Sequence, residues 1–217
     1  MRVSLWIGGA AVVALGATTG LAQSGHREIP PDQCPLTGLN SHDQVSPPRE
    51  PEFTLNQKKN RRAEPADADI DRTVALETML APGNDQGRFD EGKGAIITGW
   101  VVDVKQGGHP ETANCGNLSE QLTDTHITVG LRPDAPETET IVVEVTPWWR
   151  QAMAPKEDWS TATLLEQIKH RRVTFRGWLM FDLDHVRQAV NTAPGNPTDW
   201  RKTVWEIHPI TSMLVMP

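Results

Sequence analysis

The sequence predicts a mainly β protein: a five-stranded barrel with one helix between its third and fourth strands, preceded by a short helix and an extended arm. Three observations predict it. Apolar, β-branched runs with a two-residue alternation recur through residues 92–217, a single helical period interrupts them after the third run, and the preceding residues 23–68 are dominated by Pro and polar side chains.

The first 22 residues carry Arg2, an apolar run from Leu5 to Leu15, small residues as far as Gly20, and Gly20-Leu21-Ala22 ahead of Gln23. This is the pattern of a secretory signal peptide. The apolar run is shorter than the roughly 20 residues of a spanning helix, and no second such run follows. An exported chain, periplasmic or secreted and without a transmembrane domain once mature, is therefore expected. Residues 23–68, with Pro30-Pro31, Pro47-Pro48 and Pro51, hold too few apolar groups to offset their ordering entropy and read as an extended or disordered arm. Residues 69–91 read as a short helix and linker, with Asp69 as N-cap, a partial stripe of Ile70, Val74, Leu76, Met79 and Leu80, and a stop at Pro82-Gly83.

Within the barrel domain, residues 95–104 form the first strand, with Ile96, Thr98, Trp100, Val102 and Val104 expected on one face. Strands follow at 126–131 and 139–145. A helix capped by Ser160 then lines Leu164, Leu165 and Ile168 on one side, with His170, Arg171 and Arg172 suiting the negative end of its dipole. The fourth strand, 173–181, contains Gly177 where a barrel strand must bend, and the fifth, 203–215, is interrupted by Pro209. Strand, strand, strand, helix, strand, strand is the element order of an OB-type barrel.

Charge narrows the partners. With 21 Lys and Arg against 28 Asp and Glu the chain is acidic, which disfavours a phosphate backbone as partner and favours a small ligand or a metal. The basic group Lys58, Lys59, Arg61 and Arg62 is answered at once by Glu64 and Asp67. Cys34 and Cys115 are the two cysteines and, in an oxidising compartment, form a candidate disulfide.

Ionisable groups interrupt the apolar strands at Asp124-Thr125-His126, at Glu144, at Asp182-Leu183-Asp184-His185 and at Glu206-Ile207-His208. Such groups are costly to bury unless paired, so they are expected to meet one another. If the sheet closes, His126, Glu144, Asp182, His185, Glu206 and His208 converge near one end of the barrel. Three readings follow. The cluster is a hydrogen-bond network or ligand site of a binding module; or His126, His185 and His208 bind zinc or another divalent metal, with Glu144 or Glu206 as base of a phosphoester hydrolase; or Trp148, Trp149, Trp178 and Trp205 stack on single-stranded nucleic acid.

From Asp69 onward the chain resembles a group of uncharacterised exported bacterial OB-fold-like proteins. Their shared pattern is D-x-H, E-V-x-P, G-W-x-x-x-D-x-x-H and W-E-I-H-P, present here from Asp124 to His126, Glu144 to Pro147, Gly177 to His185 and Trp205 to Pro209. The resemblance implies the fold and the exported compartment, and carries no activity.

Overall fold

The computed structural model describes residues 26–108 and 110–217. The leader expected at 1–22 lies outside the described residues. Five strands, β1 (Gly94–Gln106), β2 (Thr125–Gly130), β3 (Thr140–Val145), β4 (Arg172–Phe181) and β5 (Trp205–Val215), close a barrel in the order β1-β2-β3-β5-β4. All pairings are antiparallel except β3 with β5. This is the mainly β, OB-like architecture the element order predicts.

Alternation fills the barrel. Ile127 and Val129, Ile141, Val143 and Val145, Val173, Phe175 and Leu179, and Ile207 and Ile210 all join one buried core. In β1 the residues expected to share one face are split between surface and core. Ala95, Ile97 and Val101 are buried, whereas Ile96, Thr98 and Trp100 turn outward. A bulge between the pairs Val101↔Val129 and Asp103↔Thr128 then resets the phase, so that Val104 is buried again. Space decides the parity, because the inward position beside Val129 is Gly99, where a Cβ would lie 2.4 Å from Leu76 Cδ2 and 2.5 Å from Val129 Cγ1.

Two helices, not one, separate β3 from β4. α3 (Pro147–Met153) opens with Pro at its first position and Thr146 Oγ1 accepting from the Trp149 amide. α4 (Thr161–Ile168) is capped by Ser160, which accepts from the Thr163 amide. Both pack on the barrel core through Trp149, Leu164 and Ile168. α3 escapes sequence reading because seven residues are too short to show an apolar period.

Before the barrel, the helix expected from Asp69 is confined to Leu76–Leu80. Ile70 instead bridges to Gly94, and the Asp71 carboxylate accepts from the Thr73 amide, so both residues leave helical geometry. Part of the segment expected to be extended is a helix, Glu52–Lys59, which buries Leu55, Asn56 and Lys59. In chain order these two are α1 (Glu52–Lys59) and α2 (Leu76–Leu80).

The polar N-terminal segment has only a small apolar cluster, Ile29, Cys34 and Leu39 against Cys115, and is ordered largely by donated hydrogen bonds. Arg62 donates to the Cys34 carbonyl at 2.5 Å, Arg61 to that of Glu91 at 2.8 Å, Arg176 to that of Pro65 at 2.6 Å, and Trp178 Nε1 to that of Ala63 at 2.7 Å. Cys34 and Cys115 are joined by a disulfide across a sequence separation of 81. On the chain-entropy view a loop of that size is worth on the order of 4 kcal/mol. Among the described residues no helix is long and apolar enough to cross a membrane.

Gly177 marks where β4 bends on β5, with register shifts on either side. A Cβ there would lie 2.2 Å from the Pro209 carbonyl oxygen and 2.7 Å from Ile207 Cγ2. Gly177→Ala should therefore cost about 1–3 kcal/mol in urea unfolding. Gly108→Ala, whose Cβ would meet nothing nearer than Glu111 Oε1 at 3.6 Å, should be nearly neutral; equal stabilities for the two variants would contradict the packing described.

Candidate functional site

Strand parity places the ionisable groups. Ile127, Val143, Leu179 and Ile207 point into the barrel, so His126, Glu144, Glu206 and His208 point outward, and Asp124 and Asp182 continue the same parity just off the ends of β2 and β4. His126 stands directly opposite Glu144 in the β2–β3 ladder. The groups gather where β2 begins, β3 ends and β5 begins. That is one end of the sheet, as expected, but on its outer face rather than in the barrel's interior. The face is nonetheless buried: Asp124, Glu144, Glu206 and His208 are each at most 5% exposed. The N-terminal segment, the β1–β2 loop and the β4–β5 loop cover it, contributing Lys59, Glu111 and Asp184 in turn.

Asp124, Glu144 and His208 each offer one ligand atom, and these atoms all lie within 4.8 Å of one another. Asp124 and His208 are steadied from behind. Asn114 donates to Asp124 Oδ2 at 2.8 Å, and among the described residues Asp124 Oδ1 has no hydrogen-bond partner. His208 Nδ1 lies 3.2 Å from both Glu206 Oε2 and Glu144 Oε2, and its Nε2 is likewise without a partner. Glu206 is in turn gripped by Arg201 Nη2 at 2.5 Å. An imidazole fixed through one nitrogen by a carboxylate, with its other nitrogen free, is how metal-binding histidines are held.

Of the three imidazoles expected as ligands, only His208 belongs to this set. His126 Nε2 lies 3.1 Å from Glu144 Oε1 but out of line for a hydrogen bond, and sits at the edge of the group. His185 is held by Asp182 through Nδ1. Arg201 is completely buried and donates to Asp182 Oδ2 at 3.1 Å and to the Thr203 carbonyl at 2.8 Å, with the Trp200 ring 5.1 Å away.

Burial sets the direction of most charges here, and close partners reverse it for some. Burial, reinforced by Glu206, Asp124 and Glu111, pushes Glu144 well above the usual carboxylate range. It pushes Glu111 up to about 7 against the pull of Lys59, and draws His126 down to about 4, leaving a neutral imidazole near pH 7. For Glu206 burial is outweighed by Arg201, and for Asp182 by the His185 hydrogen bond with Lys59 and Arg201; both are held low. Lys59 would be lowered by burial, but Glu111, Asp182, Glu144 and Asp184 together hold it well above its ordinary value.

Sequence reading missed several of these residues. Asp124 stood in the D-x-H pattern, and spacing alone set it beside His126. Lys59 read as part of a balanced basic stretch, and Arg201 lies between the fourth and fifth strands where no local pattern marks it, because their partners Asp184 and Asp182 are 125 and 19 residues away. The four tryptophans read as stacking residues are all covered in part or in full. Trp149 and Trp205 are buried, Trp178 lies under Arg61, and Trp148 packs edge-on against Trp149.

Comparison with protein-family models finds none that matches the chain, and comparison with curated proteins finds no match.

The Asp182–His185 pair makes a pH prediction. Burial would lower His185, but the Asp182 hydrogen bond outweighs it and raises the imidazole above 6.5. The stabilisation is then complete below the unfolded value and is lost as pH rises through the folded one, while Asp182 keeps its charge well into acid. His185→Gln should cost more stability at about pH 5.5 than at about pH 9 in urea unfolding; a cost that grows with pH would contradict the pairing.

Proposed function

We propose that the chain is an exported OB-type binding module whose outer-face cluster takes one divalent cation through Asp124, Glu144 and His208. The observation that carries this reading is the convergence of those three buried groups within 4.8 Å, with Asp124 steadied by Asn114 and His208 by Glu206. One imidazole and two carboxylates form a mixed donor set that suits zinc or manganese. The cation would also supply the positive charge that lets Glu144 ionise where burial disfavours it. In OB barrels the face of strands two and three, with the loops between strands one and two and four and five, is a common place for ligands; here that face carries the cluster. Export is supported by the leader pattern at 1–22 and by a disulfide that suits an oxidising compartment.

A metal-assisted phosphoester hydrolase would use the same cation, but a catalytic metal keeps one coordination position open to water and substrate. Ligand groups that are at most 5% exposed favour retention of an ion over turnover.

Equilibrium dialysis of chelator-treated protein should recover about one equivalent of zinc or manganese, and a hundredfold excess of ion over Kd should add about 2.7 kcal/mol of stability. Asp124→Asn and His208→Gln, with their fold verified by circular dichroism, should each lose roughly 100-fold in affinity. No bound ion and no thermal shift would overturn the reading, and phosphoester turnover in the metal-loaded protein would favour the hydrolase instead.

A further inference from the structure

Besides Arg201, the Lys59 ammonium reaches the covered acidic face from the N-terminal segment. Lys59 ends α1, is 8% exposed, and brings Nζ to 3.4 Å from Asp184 Oδ2 and 3.7 Å from Glu111 Oε2. Both contacts are long for charge-assisted bonds, which run nearer 2.8 Å. Asp184 in turn donates its amide to Asp182 Oδ1 at 3.1 Å, and Asp182 and Glu144 add to the negative charge that Lys59 meets.

We infer that Lys59 is a built-in counter-ion for the cation site, so that cation binding and the docking of α1 oppose each other and Lys59 sets the affinity of the site. This rests on the reading of Asp124, Glu144 and His208 as cation ligands. Lys59 holds Glu111 and Asp184 directly, and the cation would hold Asp124 and Glu144; two positive centres on one covered acidic face repel each other, and burial leaves that repulsion little screened by salt. Neutral contacts hold α1 independently of the charge: Asn56 Nδ2 donates to the Thr37 carbonyl and to Thr112 Oγ1, both at 2.9 Å. The Cys34–Cys115 bond and Arg62, which donates to the Cys34 carbonyl, anchor the chain on either side of α1. A cation entering the cluster would thus loosen the Lys59 end of α1 without releasing the segment, and a Lys59→Met side chain would keep the apolar stem while removing the competitor.

The test is calorimetric titration of the chelator-treated, disulfide-intact full chain with Zn²⁺ and separately with Mn²⁺, for wild type, Lys59→Met and Lys59→Arg. Lys59→Met should bind between about 5- and 150-fold more tightly, the range of ordinary coupling free energies, and Lys59→Arg should bind as wild type does. In wild type, Zn²⁺ should also speed amide hydrogen exchange of residues 52–59, a measurement that needs no variant to fold. Binding by wild type with equal or weaker binding by Lys59→Met, or exchange in α1 that is unchanged or slowed by Zn²⁺, would overturn the role of Lys59 and leave the site standing. No binding by any of the three proteins would overturn both.

Discussion

Burial of the Arg201 guanidinium between Asp182 and Glu206 is the constraint on which this face of the barrel depends. Asp182 directly follows β4 and Glu206 is the second residue of β5, so one planar side chain fastens the two strands where their pairing starts. Removing a partner from a buried ion pair commonly costs about 3–5 kcal/mol, because the remaining charge cannot be rehydrated. Glu206 also orients His208, and His208 meets Glu144, which faces His126 across the β2–β3 ladder. A charge placed to close the sheet therefore also aims the imidazole.

The rest of the covering layer follows from the same electrostatics. A carboxylate-rich outer face would stay solvated if left open, yet the N-terminal segment lies over it with Lys59 directed inward. That segment is poor in apolar residues; several of its backbone carbonyls accept from Arg62, Arg176 and Trp178 instead of from a sheet, and its Arg61 donates to the Glu91 carbonyl. Order imposed through side-chain donors is more local than order imposed by a core. The arrangement thus joins a rigid β scaffold, which positions ligand groups, to a cover that can respond to what those groups bind.

Much of the fold was legible, because strands announce themselves by alternation and helices by caps. The runs around Ile127, Val143 and Phe175, the cap at Ser160 and the bend at Gly177 were all readable from local patterns. The inward face of β1 was not, since a bulge at Val102 changes the parity within one strand and Gly99 decides which side can be packed. Composition also hid α1, whose stability comes from the barrel it leans on. At the site, Glu144, Glu206 and His208 stood out because charge in an apolar strand requires a partner. Asp124 needed its place in the ladder, while Lys59, Glu111 and Arg201 needed the closed fold to bring loop and arm residues together.

The most direct measurement is anomalous diffraction from crystals of the protein grown with Zn²⁺ or Mn²⁺. A single strong peak bonded to Asp124, Glu144 and His208, with His208 still backed by Glu206, is the predicted result. Density for these side chains without an ion, and an anomalous signal only at exposed carboxylates or at His185, would contradict it.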